Sequence, residues 1–383
     1  MLPQARAAWV AEAERFGNPS SLHAAGRRRR QVVEESRESI AGQLSVRPSA
    51  VVFTSGGTEA DNLAIKGLFW AERAARGATT ILASAIEHHA VLDPIVWLET
   101  DQGARVDWLP VDSLGRVSVD DVLARLAGDD PVALCTVMWA NNELGTVQPV
   151  HQVAEACRAA GVPFHTDAVQ ALGHLPMDLA TLGATAVTIS SHKIGGPFGV
   201  GALILDPTQK TTPVLHGGGQ EREVRSGTLD APSIAAFAVA VEHAVRGQQE
   251  RARHLAALRE ALRVGILDAV PTAVVNGDPG TGPDERLPGN LHVSFPGCEG
   301  DLLLMLFDAA GVDCSTGSAC TAGIPEPSHV LLAMGADEAT ARSSLRFSLG
   351  ESSTAADVEA VLAALPGVVE RAARAGSVAG RTG

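Results

Sequence analysis

Lysine is nearly absent from this chain. Only Lys66, Lys193 and Lys210 occur in 383 residues, against twenty-seven arginines, so positive charge is ordinarily supplied by guanidinium. A guanidinium cannot do what a deprotonated amine can, above all form an imine with a carbonyl. Other scarcities exclude whole classes. No segment approaches the roughly 18 uninterrupted apolar residues of a membrane span, and the start Met1-Leu2-Pro3-Gln4-Ala5-Arg6 lacks the apolar core of a secretory signal. A cytoplasmic protein without membrane attachment is expected. Five scattered cysteines, Cys135, Cys157, Cys298, Cys314 and Cys320, contain no Cys-x-x-Cys pair and suit reduced thiols. Cys314, Cys320 and His329 fit no common zinc spacing, so no metal is expected. A formal charge of −14 argues against non-specific nucleic-acid binding through the whole surface, but not against local sites for small anions.

A chain this long with 45% hydrophobic residues can bury a large core, and two packed lobes are expected, residues 1–248 and 249–383. Strand-like runs alternate with helical spacing from Val51-Val52-Phe53-Thr54 to Val200–Leu205. This predicts an α/β fold, a mostly parallel sheet covered by helices on both faces. A long alanine-rich helix is expected from about Pro232 to Val270, followed by a smaller α+β lobe. Arg27-Arg28-Arg29-Arg30 reads as a solvated helix face, Asp278 to Pro288 as a turn-rich surface loop, and the last ten residues as frayed.

In such sheets ligands bind beyond the C-terminal strand ends. The polar residues expected there are Gly56-Gly57-Thr58, Asn141-Asn142-Glu143, Asp167 with Gln170, and Ser190 to Lys193. Gly56-Gly57 between a strand and a helix suits one phosphate, although it is neither a Walker loop nor a dinucleotide fingerprint, and a plain helix cap explains it equally well. Lys193 follows the apolar run Ala186–Ile189 and precedes two glycines and a proline. On position alone it is a solvated turn lysine. A phosphate cradle, a strand-end carboxylate and a strand-end lysine together are what pyridoxal phosphate requires.

Further stretches make the pattern specific. Gly-Asn-Pro-Ser-Ser-Leu-His at 17–23, Phe-Thr-Ser-Gly-Gly-Thr-Glu-Ala-Asp-Asn at 53–62, Glu-His-His-Ala-Val-Leu-Asp at 87–93, Asn-Asn-Glu-Leu-Gly-Thr-Val-Gln-Pro at 141–149, Gly-Gly-Gly-Gln-Glu-Arg at 217–222 and Arg-Ser-Gly-Thr-Leu at 225–229 occur in order. The chain thereby resembles the cysteine desulfurases of the class V aminotransferase family, pyridoxal-phosphate enzymes of fold type I. The resemblance implies a catalytic set of Lys193, Cys320 and His88. Lys193 would hold the cofactor, Asp167 would pair with its pyridinium, Gln170 would bind its ring oxygen and His88 would stack on it. Gly57, Thr58, Ser190 and His192 would bind the phosphate. Asn142 would lie near ring and substrate, and Arg346 would take the substrate carboxylate. Thr228 would reach the phosphate of a partner subunit, which implies a homodimer.

The stretch from Cys314 to Gly323 surrounds Cys320 with small residues, which predicts an exposed, mobile loop. The resemblance makes Cys320 the nucleophile that takes sulfur from L-cysteine as a persulfide and releases alanine. It also points to the group with the longer cysteine loop, whose outlets are iron-sulfur scaffold and tRNA-thiolation proteins, with Cys320 able to contact a cluster during transfer. Selenocysteine lyase, another lyase or transaminase of this fold, and a non-catalytic sulfur carrier are the alternatives. Cys314 reads as a packed residue rather than a resolving thiol, and Cys135 and Cys157 as structural. Relatives begin with a segment resembling Tyr-Leu-Asp-Asn-Ala-Ala-Thr-Thr-Pro, just upstream of where this chain starts. Either the start is assigned late or the mouth of the site is built differently. The chain also ends without the extension that some relatives use to dock a scaffold.

Overall fold

The computed structural model describes residues 1–317 and 327–379, so Cys320 lies outside the described residues, as does the end of the tail read as frayed. The chain forms two compact units. One contains Met1–Leu109, Ser118–Trp139 and Pro149–Gln248; the other contains Pro110–Val117, Ala140–Gln148 and Gln249–Gly383.

The first unit is built on strands β1 (Val51–Thr54), β2 (Thr80–Ser84), β3 (Arg105–Leu109), β4 (Val132–Thr136), β5 (Phe164–Asp167), β6 (Ala186–Ser190) and β7 (Gly201–Leu205). Among the described residues they form one sheet in the order β1-β7-β6-β5-β4-β2-β3. The pairs from β3 through β6 are parallel, whereas β7 runs antiparallel to both β1 and β6. Chain length explains the exception. Only residues 191–200 join β6 to β7, too few for a parallel crossover, so the chain turns back as a hairpin. Every residue of β1, β2, β4, β5, β6 and β7 is buried, which accounts for their nearly continuous apolar runs. The edge strand β3 carries Arg105 and Asp107 instead.

Helix Gly57–Arg76 lays Ala60, Ala64 and Leu68, four residues apart, into the buried cluster that also holds Leu134 of β4 and Leu203 of β7. It starts after Gly56, whose φ of 152° is open only to glycine, and stops at Gly77 in the left-handed region. The alanine-rich stretch is two helices, Ala231–Arg246 and Gln248–Ala269, rather than one. Gly247 breaks it, with φ −110° and ψ 11°. The arginine run faces water at Arg27, Arg28 and Arg30, but Arg29 turns inward to Glu12 at 3.1 Å.

The second unit pairs β8 (Val274–Asn276), β9 (Asn290–Ser294) and β10 (Ser344–Ser348) in an antiparallel sheet ordered β10-β9-β8. Leu258, Leu262 and Ile266 share a helix face and join Leu303, Phe307, Phe347 and Leu365 in its core. The stretch from Asp278 to Pro288 is not simply a surface loop, since Asp278 and Arg286 are buried. Arg286 donates to the carbonyls of Asp278, Leu144 and Asn290, so one side chain satisfies backbone that would otherwise need water. Among the described residues no helix is long and apolar enough to cross a membrane.

Candidate active site

Because β2, β4, β5 and β6 are parallel, their C-terminal ends share one edge of the first unit's sheet. β5 ends on Asp167, whose Oδ1 accepts the Val169 amide at 2.8 Å. β6 ends on Ser190, and a single 3-10 turn, His192–Ile194, then presents Lys193 at the surface, closed by Gly195 at φ 79°. Ser190 Oγ lies 2.9 Å from His192 Nδ1, and the His192 ring stacks on Phe198. A Cβ added to Gly57 would stand 3.1 Å from Val169 Cγ2 and 3.6 Å from Ser190 Cβ. The turn after β1 therefore abuts both the residue pair following Asp167 and the start of the lysine elbow.

The neighbouring predicted residues follow from the same strand ends. Thr58 is exposed in the first turn of helix Gly57–Arg76, and Gln170 is half-buried just past Asp167. His88, beyond β2, caps helix His89–Gln102 by accepting the Ala90 amide on Nδ1 at 3.1 Å. Arg225 grips Glu59 at 2.7 and 3.2 Å, and Glu59 also accepts the Ser55 amide at 2.6 Å. This fork ties the segment leading to exposed Thr228 onto the glycine turn.

Behind Asp167 lies a buried acidic group. Burial first, and then the charge of Asp61, push the Asp167 carboxyl up to about 7; the Val169 amide, His165 and Lys193 pull the other way. Burial likewise raises Asp61 to about 7 against a hydrogen bond from Thr188. Glu87 is raised well above the usual range by burial and by Asp167, although its Oε1 accepts the Met138 amide at 2.6 Å. His165 bridges Thr136 Oγ1 at 2.9 Å and Thr188 Oγ1 at 3.1 Å, and burial lowers it to about 4. The ring is thus neutral.

Asn142 and Arg346 belong to the second unit. Arg346, on β10, donates from Nη1 to the Asn142 carbonyl at 3.0 Å, and among the described residues its buried Nε has no hydrogen-bond partner. Among the described residues no carboxylate pairs with it. Cys314 packs against the second unit's core, and burial followed by Asp313 and Asp308 raises its thiol to about 11. Cys135 and Cys157 are wholly buried. Among the described residues no cluster of three or more His, Cys, Asp or Glu could hold a metal.

Residues 8–361 match the model of the family "Aminotransferase class-V". An IscS-like cysteine desulfurase of Mycobacterium tuberculosis is 50% identical over 98% of this chain and 95% of its own. The chain belongs to the class-V aminotransferases, among the cysteine desulfurases. A solved NifS-like protein superposes with a TM-score of 0.87 at 32% identity, covering 97% of this chain and 96% of the other. A second solved structure, titled "SspA in complex with cysteine", has a TM-score of 0.77 at 32% identity, covering 92% and 97%. The α/β fold and the family expected from the motifs are thereby borne out.

Within this class-V site, sequence reading missed Asp61, Glu87 and His165. Two signals were available. Asp61 stands in the helical run beside Ala60, Leu63, Ala64 and Ile65, all buried, and His165 lies inside a four-residue strand buried throughout. A polar side chain at a position whose neighbours are all core is the mark of a buried network.

Proposed function

We propose that the protein is a pyridoxal-phosphate-dependent cysteine desulfurase, converting L-cysteine to L-alanine while its Cys320 retains the sulfur as a persulfide. The observation that carries this reading is the meeting of Gly57 with Val169 and Ser190, which joins a glycine turn, a buried carboxyl and a lysine elbow at one sheet edge. The residues suit the cofactor. Bare backbone at Gly56 and Gly57 leaves amides for one phosphate, and a Cβ at Gly57 would press on Val169 and Ser190. The Asp167 carboxyl, raised by burial, gains most from a cationic N–H as its partner.

When bound, pyridoxal phosphate would supply the electron sink that lets the substrate's carbon–sulfur bond break. Lys193 would hold it and afterwards move protons. Gly57, Thr58, Ser190 and His192 would hold its phosphate, Asp167 its ring nitrogen and Gln170 its ring oxygen, with His88 against its face. Arg346 would bind the substrate carboxylate through its planar fork, with Asn142 beside it. The Cys320 thiolate bonds to the substrate sulfur, the carbon–sulfur bond breaks and the carbon takes a proton. Cysteine and thiol thus become alanine and persulfide without added oxidant. The similar structure titled as a cysteine complex supports L-cysteine as substrate.

The same reading includes lobes divided at 248/249, a homodimer completed by Thr228, a cytoplasmic location, and delivery of sulfur to an iron-sulfur scaffold or tRNA-thiolation protein. Its test is a pair of variants. Lys193→Ala should lose both colour and turnover, and Cys320→Ser should keep the colour and form no persulfide. Persulfide formation at the wild-type rate in Cys320→Ser would overturn the assignment of the nucleophile.

A further inference from the structure

Behind Asp167 the first unit buries a second carboxylate, to which the proposed reaction gives no task. Asp61 lies on helix Gly57–Arg76, which packs on β4, β5 and β6. Its Oδ1 stands 3.5 Å from His165 Nε2, and both side chains are buried. No hydrogen bond joins the two, and among the described residues that oxygen has no partner. The Thr188 hydroxyl donates to the same carboxylate. Thr188 is also the neighbour of Asp167 across the β5–β6 pair, and its Oγ1 lies 3.1 Å from His165 Nε2. His165 and Asp167, two apart on β5, share one face of the sheet, so Asp61, Thr188 and His165 form a buried layer next to the strand-end carboxyl.

The groups around this carboxylate leave its charge uncancelled. His165 is the base beside it, but burial lowers that ring to about 4, so it stays neutral between the hydroxyls of Thr136 and Thr188. Glu87, beyond β2, is raised well above the usual range by burial and then by Asp167, so it contributes a proton rather than a charge. Asp61 is raised by burial only to about 7. Of the two acids that stand with Asp167, it is therefore the one that ionises near neutral pH. Lys193 draws Asp167 the other way, from the elbow. A negative Asp61 raises the affinity of Asp167 for a proton, or for a cationic N–H that carries one. A buried carboxylate with an unpartnered oxygen costs stability, and a task of this kind accounts for its retention.

We infer that Asp61 is a positioning residue for the ring nitrogen of pyridoxal phosphate: its buried carboxylate, behind Asp167, strengthens the hold of Asp167 on the nitrogen's proton without touching the cofactor. Resting on the pyridoxal-phosphate reading of Asp167, this role is independent of the substrate and of Cys320.

The experiment titrates the full chain, stripped of cofactor, with pyridoxal phosphate and with its analogue carrying C–H in place of the ring nitrogen. Wild type, Asp61→Asn and Thr188→Val are compared by absorbance at about pH 8, where Asp61 is ionised. Asp61→Asn keeps the shape and an acceptor for Thr188 and removes the charge. It should weaken pyridoxal phosphate by about tenfold, the worth of one pKa unit. The analogue has no proton there to hold, so its affinity should stay within about twofold. Thr188→Val, which removes the hydroxyl favouring the charged Asp61, should give the same selective loss to a smaller degree. Equal affinity of wild type and Asp61→Asn for pyridoxal phosphate would overturn the role, as would an equal loss for both ligands, the result a merely structural residue gives. Selective loss in a protein whose wild type turns over no cysteine would uphold the role of Asp61 and refute the desulfurase reading. Unselective loss in one whose wild type turns over cysteine would do the reverse, and a wild type that binds neither ligand would overturn both.

Discussion

Arg37 holds Glu221 through two guanidinium nitrogens, at 2.8 and 2.6 Å, and Glu221 Oε2 also accepts the Phe53 amide at 2.8 Å. The grip explains an uncommon backbone. Glu221, Arg222 and Glu223 have φ values of 47°, 56° and 64°, three successive non-glycine residues in the left-handed region. Each costs about 1–2 kcal/mol, and the conformation persists because the Arg37 fork and the Phe53 amide hold the Glu221 carboxylate in place. Arg37→Met leaves Glu221 buried without its partner and should cost about 3–5 kcal/mol in urea unfolding. Glu223→Gly should instead raise stability by up to about 1 kcal/mol. Equal stability for wild type and Arg37→Met would contradict the role given to the pair.

The acidic group behind Asp167 gives a pH dependence with a definite sign. The folded-state value of Asp61 is raised from 3.8 to about 7, so the folded protein binds that proton more tightly than the unfolded chain. Stability from this group is complete below the unfolded value and is lost as pH rises through about 7. Asp61→Asn removes the titration. Melting of the cofactor-free proteins should show the variant stabilised relative to wild type near about pH 8, with the gain shrinking below about pH 7 and gone near about pH 4. A gain independent of pH would contradict it.

Among the described residues Arg346 has a buried Nε without a partner and one nitrogen on a backbone carbonyl. Arg346→Ala should raise the cysteine concentration for half-maximal absorbance change by about 10–100-fold while leaving the bound colour intact, the worth of a lost charge-assisted pair. Arg346→Lys should recover only part of this, because an ammonium cannot reproduce the planar fork. Titration with cysteine measures both, and an unshifted midpoint in the alanine variant would remove Arg346 from the substrate site.

The sheet is legible in the chain because its strands are buried throughout, so that Phe164–Asp167 and Ala186–Ser190 stand out as short apolar runs ending in polar residues. Gly247 is not legible as a break. Alanine-rich spacing continues on both sides, and one glycine costs a helix only about 1 kcal/mol, so tertiary packing decides. The burial of Arg286 within a turn-rich stretch depends on carbonyls at Leu144 and Asn290, a relationship no local pattern carries. For the site, the context of Asp167, Lys193 and Gly57 is local, at the ends of strands. Asp61, His165 and Thr188 come from separate elements and become a network only when helix and strands pack. Glu143 is similar: its motif is visible in sequence, but its partner Ser328 lies 185 positions away.

The most direct test of the central claim is the visible absorption spectrum of the purified protein before and after L-cysteine. The expected result is a yellow protein whose absorbance band shifts at once on cysteine addition as alanine appears. A protein that stays colourless even when supplied with pyridoxal phosphate, or a yellow one whose spectrum ignores cysteine, would contradict it.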